Sequence, residues 1–371
     1  MTMTRAIAAA GSLAALLIGA GLVGAAPLTE TNVNRGVVEL ETMSASSESV
    51  RIGEDLANLV DDGATRRVLP IVGKGSLQNI IDLMALRGID MAVLQIDVLT
   101  YVKQQNLFPG VDRSFTYITK LYNEEFHVLA RRDIKTVADL AHQKVNVDVP
   151  GAGSGIIAQQ LFGLLSVPVT PTNDDQGTAI EKLRRGEIAA VAFVTGKPAP
   201  VFQGLDGKDG LHFLSVPLGP AITAAYVPTR LTAEDYPGLV LPDQPVDTVA
   251  VGTMLAAANL PVLSDRYRNL VNFVNAFFTN ITTLTAPGHH PKWREVNLAA
   301  EIPGWQRFPP AADWLQRNTP VASSTGPKDL KDMFMRFIAE RQQAAGSQEM
   351  SQQQKDEMFE QFRRWQASQG H

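Results

Sequence analysis

Short apolar runs alternate with segments of helical spacing along most of the chain. The runs predict strands at 37–41, 67–72, 90–94, 126–130, 144–149, 189–194 and 246–251. Apolar residues three and four positions apart predict helices at 50–60, 76–86, 136–141, 154–165, 179–183 and 267–278. Short strands separated by single helices are typical of a parallel sheet, so the pattern predicts the α/β class.

The alternation begins a second time near residue 126. Two successive α/β units predict two lobes rather than one large sheet. The long helix predicted at 267–278 follows the second unit, which indicates that the chain returns to the first lobe.

The N-terminal segment has the composition of an export signal. An uncharged run of Ala, Leu, Gly and Ile extends from Ala6 to Val23 after Arg5, and small residues follow it up to Ala25. We predict a cleaved signal peptide over 1–25. A retained membrane anchor is the alternative, because the run nearly reaches spanning length.

The C-terminal segment differs in composition from the middle of the chain. A Ser/Thr/Gly/Pro-rich stretch at 320–327 precedes two amphipathic patterns, at 330–338 and 358–365. We predict that 316–371 forms a linker and a helical tail. The tail either packs on the body as a hairpin or serves as an arm that binds a partner.

Composition limits the possible partners and the compartment. The 371 residues carry a net charge of −5, so there is no basic surface of the kind that binds nucleic acid. There is no cysteine, which excludes disulfides, thiolate metal sites, cysteine nucleophiles and a lipidated N-terminal cysteine. An exported chain without disulfides fits a bacterial periplasm best.

A glycine-rich turn at 149–155, VPGAGSG, follows a predicted strand and opens a helix. Free N–H groups and the positive helix end suit an anion at such a turn. It is not a nucleotide turn, because Ile156 replaces the third glycine of the dinucleotide pattern and no P-loop lysine is present. Ser154 is not in a G-x-S-x-G elbow, and the six histidines show no metal-ligand spacing on a helix. We therefore predict no catalytic site, no metal and no cofactor, and we place His289-His290 in a surface turn.

Two further turns lie in the same position, after a strand and before a helix. Gly73-Lys74-Gly75-Ser76 precedes the helix at 76–86, and the hydroxyl-rich loop at 44–49 precedes the helix at 50–60. Ligands of open α/β sheets bind at the carboxyl ends of the strands. Turns from two lobes are therefore expected to face each other across a cleft, although each serine is also a good helix cap.

Five segments, in this order and spacing, resemble the TAXI family of solute-binding proteins, which are the extracytoplasmic receptors of TRAP transporters. They are Gly75-Ser76 with Asn79, the segment from Gly88 to Asp97, the segment from Leu121 to Val128, the segment from Asp139 to Gly155, and the turn from Gly196 to Pro200. The similarity covers about 37–284. It departs from the family at 46–51, where Ser46-Ser47-Glu48-Ser49-Val50-Arg51 replaces a Thr-Tyr-Tyr sequence, at Ile156, which replaces Thr, and at Ala189, which replaces Asp.

The resemblance implies a two-lobed type II periplasmic binding protein with a C-terminal helical extension. Lobe one is expected at 36–131 plus 248–315 and lobe two at 132–247, with crossovers near Arg131-Arg132 and Pro245-Val246. The implied function is capture of a small organic anion, an amino acid or another carboxylate, and its delivery to a TRAP permease by a monomeric receptor. An exported sensor that presents its bound form to a membrane receptor is the alternative.

The resemblance and the turns together suggest a set of ligand-binding residues. The set is Ser46, Ser47, Glu48, Arg51, Gly75, Ser76, Asn79, Gln95, Tyr122, Asn123, Gly153, Ser154, Gly155 and Lys197. Ser76 and the turn at 153–155 are expected to hold carboxylate oxygens. Lys197 and Arg51 are cationic candidates, and Lys197 is alternatively a solvated lysine. Glu48 is expected either to recognise a ligand amine or to form a salt bridge with Arg51.

Overall fold

The structure is a computed structural model that describes residues 36–318. The strands are β1 Val37–Thr42, β2 Arg67–Val72, β3 Met91–Gln95, β4 Phe115–Arg131, β5 Lys144–Asn146, β6 Thr170–Thr172, β7 Ala190–Thr195, β8 Leu211–Phe213, β9 Val227–Leu231 and β10 Val246–Ala258. The α-helices are α1 Ser49–Val60, α2 Ser76–Ala85, α3 Ile96–Gln104, α4 Val111–Ser114, α5 Gly153–Leu164, α6 Gln176–Arg184, α7 Pro220–Ala225, α8 Asp265–Asn280 and α9 Pro309–Asn318. Short 3-10 helices lie at Val137–Leu140, Pro200–Phe202, Gly207–Asp209, Ile281–Thr285 and Pro291–Glu295. The predicted signal peptide and the amphipathic patterns of the tail lie outside the described residues.

The sheet contains the same strand arrangement twice. Its main path has the order β2-β1-β3-β10-β4-β7-β5-β6, with β8 beside β4 and β9 beside β10. β1 pairs in parallel with β2 and β3, and β10 runs antiparallel to β3. β5 likewise pairs in parallel with β6 and β7, and β4 runs antiparallel to β7. We call the half with β1–β3 the first lobe and the half with β5–β7 the second lobe, so the predicted two-lobed α/β fold is confirmed.

The two longest strands, β4 and β10, belong to both lobes. The early part of β4 pairs only with β10, and its later part, from Glu125, pairs with β7. β10 pairs with β9 up to Ala250 and with β3 from Thr253. A bulge lies where partners change, with Leu121 and Tyr122 of β4 opposite Thr253. The predicted crossovers at Arg131-Arg132 and Pro245-Val246 coincide with an end of each strand, and the lobe limits stay a prediction.

Three apolar clusters cover the faces of the sheet. One packs α1 and α8 on the first lobe, through residues such as Ile52 and Phe273. Another packs α6 on the second lobe, where Ile180 lies near Phe193. The largest cluster extends across both lobes and includes residues of α2, α3 and α5. The lobes are therefore in contact through packed side chains on one face of the sheet. Within 36–318, no helix combines the length and apolarity that crossing a membrane requires.

The pattern of apolar positions located most elements but missed two that matter for the site. The strand predicted at 126–130 is only the end of β4, which begins at Phe115. Polar residues such as Thr116, Thr119 and Lys120 interrupt the earlier half, so no continuous apolar run marks it. α3 begins directly after β3 without a loop, so no turn signal marks its start.

Candidate functional site

The two glycine turns that open α2 and α5 lie against each other. A Cβ atom on Gly75, where φ is +128°, would lie 2.9 Å from the Cα of Ala152. The backbone N–H of Gln78 donates to the carbonyl of Gly151 at 3.1 Å. A Cβ atom on Gly153 would lie only 1.8 Å from Oε1 of Gln95. The structure therefore brings these turns together, one from each lobe, and only glycine permits so close an approach.

The polar side chains beside these turns have partners within the protein. Oγ of Ser76 accepts a hydrogen bond from the backbone N–H of Gln95 at 2.8 Å. Oγ of Ser154 accepts one from Val194 N–H at 3.2 Å. Asn79 donates to the carbonyl oxygens of Thr42 and Val93 at 2.9 and 3.3 Å. These groups join the ends of strands to the helices, and their predicted contacts with a ligand stay a prediction.

Glu48 lies at the end of the first-lobe loop and is fully buried. Its Oε2 accepts hydrogen bonds from Ser47 at 2.9 Å and from Thr195, the last residue of β7, at 2.5 Å. A Cβ atom on Gly196 would lie 2.8 Å from the carboxyl carbon of Glu48. Because Glu48 belongs to the first lobe and Thr195 to the second, this carboxylate connects the two lobes. The neighbouring Ser46 is partly exposed.

The predicted salt bridge between Glu48 and Arg51 is not formed. The Arg51 guanidinium lies 3.4 Å from Asp55 and 3.5 Å from Glu54, and it donates to the carbonyl of Gly288 at 2.8 Å. All of these contacts lie along α1 and its outer surface. Arg51 therefore lies on the exposed side of α1, whereas Glu48 is buried at the lobe junction.

Four buried side chains form the polar centre next to the turns. They are Glu48, Gln95, Tyr122 and Glu124. Nε2 of Gln95 donates to Oε2 of Glu124 at 2.6 Å. Tyr122 and Glu124 both come from the part of β4 where its partners change, and both are fully buried. Four buried atoms here have no direct hydrogen-bond partner among the described residues. They are Oε1 of Glu48, Oε1 of Gln95, Oε1 of Glu124 and the hydroxyl of Tyr122.

The two glutamates have opposite pKa shifts. Burial acts to raise the pKa of Glu48, but the hydrogen bond from Thr195, the nearby Tyr122 hydroxyl and the proximity of His290 lower it below the ordinary value. Burial first, and then the charge of Glu48, raise the pKa of Glu124 well above the ordinary value. Two carboxyl groups at close range do not both ionise readily in a dry site. The pair therefore favours a single negative charge, with the carboxylate on Glu48 and the proton on Glu124.

The remaining predicted site residues are Lys197, Asn123 and Gly155. The side chains of Lys197 and Asn123 have partners away from this centre. The Lys197 ammonium lies 2.9 Å from Asp235 and donates to the carbonyl of Arg230 at 2.5 Å. The amide oxygen of Asn123 accepts from Lys120 at 3.1 Å. Gly155 lies inside the first turn of α5, where a Cβ atom would be 3.3 Å from the carbonyl of Val147. The ligand-binding roles assigned to these three residues stay predictions.

The sequence analysis missed Glu124, Thr195 and His290. Glu124 lies in the segment from Leu121 to Val128 that carried the resemblance, so a signal was present. Thr195 and His290 approach Glu48 only through the tertiary fold. His289 and His290 lie at the end of a surface turn, as predicted, but both are only partly exposed. His289 contacts the buried carboxylate of Asp55 at 3.0 Å, and burial lowers the pKa of His290, whose backbone N–H donates to Asp55.

The sequence of this chain matches the model of a known protein family. A model of the NMT1-like family matches residues 40–287, which is more than half of the chain and includes every residue of the polar centre. The chain belongs to the NMT1-like family. The TAXI family predicted from the motifs is a finer assignment and stays a prediction.

Several solved structures are similar to this NMT1-like protein. An ancestral arginine-binding protein bound to arginine has 13% identity and a TM-score of 0.42, with 70% of this chain and 97% of that chain covered. The periplasmic aliphatic sulphonate binding protein SsuA from Escherichia coli has 14% identity and a TM-score of 0.39, covering 82% and 88%. A TctC solute binding protein from Polaromonas has 15% identity and a TM-score of 0.37, covering 66% and 88%. The names of all three are those of binding proteins, not of enzymes. Within 36–318 no group of His, Asp and Glu side chains is placed to hold a metal ion.

Proposed function

We propose that this NMT1-like protein is a solute-binding receptor whose two lobes close on a small molecule. The observation that carries the proposal is the meeting of two strand-to-helix turns, one from each lobe, beside buried polar atoms that have no protein partner. Buried polar groups in proteins almost always have a hydrogen-bond partner, so unpartnered ones at a lobe junction indicate a binding site for a small molecule.

Closure follows from the strands that connect the lobes. β4 and β10 change partners beside the polar centre, so a rotation there would move the turn of α5 away from the turn of α2. A solute that contacts both lobes binds the closed state better and shifts the population toward it. In the closed state its release requires the lobes to separate, which suits capture and delivery.

The finer parts of the proposal come from the sequence. We propose a TAXI-type receptor that is exported by the signal peptide at 1–25, acts in the periplasm as a monomer, and delivers its solute to a TRAP permease. The similar structures bear the names of binding proteins for amino acids and other solutes, in keeping with a small-molecule ligand. A membrane permease encoded beside the gene would support transport, whereas a sensor kinase there would support the alternative of a sensor.

Thermal unfolding tests the proposal directly. The chain beginning at Ala26 is screened against amino acids, dicarboxylates and 2-oxo acids. A solute at a hundred times its dissociation constant should add about 2.7 kcal/mol of stability, because it binds only the folded state. For a chain of this size that corresponds to about 3 to 5 °C in the unfolding midpoint. A flat response to every solute in the panel would contradict the receptor function.

A further inference from the structure

We propose that the solute carries a protonated amine and that Glu48 is its counter-ion, with the amide oxygen of Gln95 as a further hydrogen-bond acceptor. This inference rests on the proposed receptor function and names the chemical class of its ligand. It restricts the small organic anion expected from the sequence to solutes that also have an ammonium group, as amino acids do.

Two of the four unpartnered atoms of the centre, Oε1 of Glu48 and Oε1 of Gln95, can only accept. Oε1 of Gln95 can only accept, since the Nε2 group of the same side chain already donates to Glu124. Oε1 of Glu48 has no donor, although Oε2 of the same carboxylate has two. An ammonium group has three donors and no acceptor, so it matches this set. A ligand carboxylate at the same place would face the Glu48 charge and the Gln95 amide oxygen, neither of which can donate to it.

The charge of the centre also favours a cationic group. Glu48 is fully buried, and a buried carboxylate without a counter-charge is costly. The arginine and lysine side chains that might have paired with Glu48 form ion pairs with other carboxylates instead. Arg51 pairs with Asp55, Lys197 with Asp235, and Lys292 with Glu125 at 2.6 Å. With Glu124 in its acid form, the centre has a single negative charge, which one ligand ammonium would neutralise.

The position of the centre gives the amine a role in closure. Thr195 of the second lobe reaches Glu48 of the first lobe, and Gln95 lies against Gly153 across the junction. An ammonium group in contact with Glu48 and Gln95 would therefore be enclosed where both lobes meet. Removing that group from the solute removes the interaction that depends on the closed state.

Matched pairs of solutes test the inference on the unaltered protein. Each amino acid is compared with the 2-oxo acid of the same carbon skeleton, for example L-glutamate with 2-oxoglutarate, by calorimetry on the chain beginning at Ala26. We expect the amino acid that binds to lose at least a hundredfold in affinity when the amine becomes a carbonyl. A 2-oxo acid or dicarboxylate that binds as tightly as its amine-bearing partner would overturn the inference and leave the receptor function intact. Binding of no solute in the panel would contradict the receptor function and the inference with it.

The variant Glu48→Gln tests the residue, with Glu54→Gln as its control. Both remove one carboxylate near the start of α1, but Glu54 is exposed and pairs only with Arg51. We expect Glu48→Gln to reduce amine binding at least tenfold while the unfolding midpoint without solute stays the same or rises, because a buried charge is gone. Glu54→Gln should bind as the wild type does. Unchanged amine binding in folded Glu48→Gln would overturn the role of Glu48. If that variant does not fold, the matched solutes still decide the inference.

Discussion

Single residues decide how closely the lobes approach each other. Gly153 begins α5 beside Gln95 and Val98, and a side chain there would meet both at less than 3 Å. Gly163 lies near the other end of the same helix, with no atom within 4 Å of its ideal Cβ position. The same residue type thus serves a close contact at one position and leaves open space at the other.

Alanine at these two positions should have opposite effects. Gly153→Ala should lose about 1 to 3 kcal/mol of stability through overpacking, or weaken solute binding if the lobes separate instead. Gly163→Ala should gain about 0.5 to 1 kcal/mol, since alanine loses less backbone entropy than glycine in a helix interior. Urea unfolding together with calorimetry measures both variants. Equal stability and binding in Gly153→Ala would contradict the contact between the turns.

Glu41 is a buried carboxyl group outside the proposed ligand contacts. Its Oε2 has no partner among the described residues, and burial together with nearby Asp82 raises its pKa to about 8. The ordinary value is 4.5, so the folded state holds this proton more tightly than the unfolded state. Its favourable contribution is therefore complete below pH 4.5 and is lost as pH rises toward 8.

Glu41→Gln should remove this pH dependence. Between pH 5 and pH 8 the free energy of unfolding of the wild type should fall by about 3.5 kcal/mol more than that of the variant. Urea unfolding at the two pH values measures the difference, and Glu54→Gln again serves as an exposed control. If wild type and Glu41→Gln lose the same stability over this range, the proton is not held by Glu41.

At the scale of elements, the chain segment after α8 secures the strand that connects the lobes. Lys292, in the 3-10 helix at Pro291–Glu295, is buried and lies 2.6 Å from Glu125 of β4 and 2.7 Å from Glu295. Burial raises the pKa of Glu125 to about 7, although the Lys292 charge acts to lower it. Glu125 also accepts from Lys197 N–H at 3.0 Å, so this ion pair fixes β4 beside its change of partners.

Lys292→Met should cost about 3 kcal/mol, because it leaves the Glu125 carboxyl buried without its cation. Adding Glu125→Gln to that variant should recover part of the loss, since the uncompensated group is then neutral. Lys208→Met breaks an exposed pair with Asp206 and should cost less than about 1 kcal/mol. Denaturant unfolding of the wild type, Lys292→Met, Glu125→Gln and the double variant checks the cycle, with Lys208→Met as the exposed control. Additive effects of the two substitutions would show that the pair is not coupled.

For the whole molecule, the contact between the lobes has a measurable consequence. The turns of α2 and α5 touch, and one apolar cluster includes residues of both lobes. A ligand that favours this arrangement should reduce the radius of gyration of the chain, because separated lobes extend further from the common centre. The change can occur without any change of secondary structure.

Small-angle scattering with and without a bound amino acid measures this reduction. We expect a smaller radius of gyration with the ligand, and far-ultraviolet circular dichroism that stays the same. Gly153→Ala should have the larger radius in both conditions. A radius that does not respond to a saturating ligand would contradict closure, although it would leave binding itself intact.

The sequence by itself determined the class of the fold and the location of the turns. Period-two and helical spacing depend on neighbours along the chain, so strands such as β1 and β2 and helices such as α1 and α2 were predictable. Glycine and serine at strand ends likewise marked the turns of α2 and α5, since those residues have local conformational reasons to be there.

Only the tertiary structure decided which polar groups share the centre. Glu48 meets Thr195, 147 positions away, and Gln95 meets Glu124, 29 positions away. No local pattern encodes such a pair, because its energy depends on burial and on the absence of water. Arg51 is close to Glu48 in sequence and was the natural partner, yet the direction of α1 places it beside Asp55. Burial and chain direction, which exist only in the folded molecule, gave Glu48 its second-lobe partner and left the centre with unpaired acceptors.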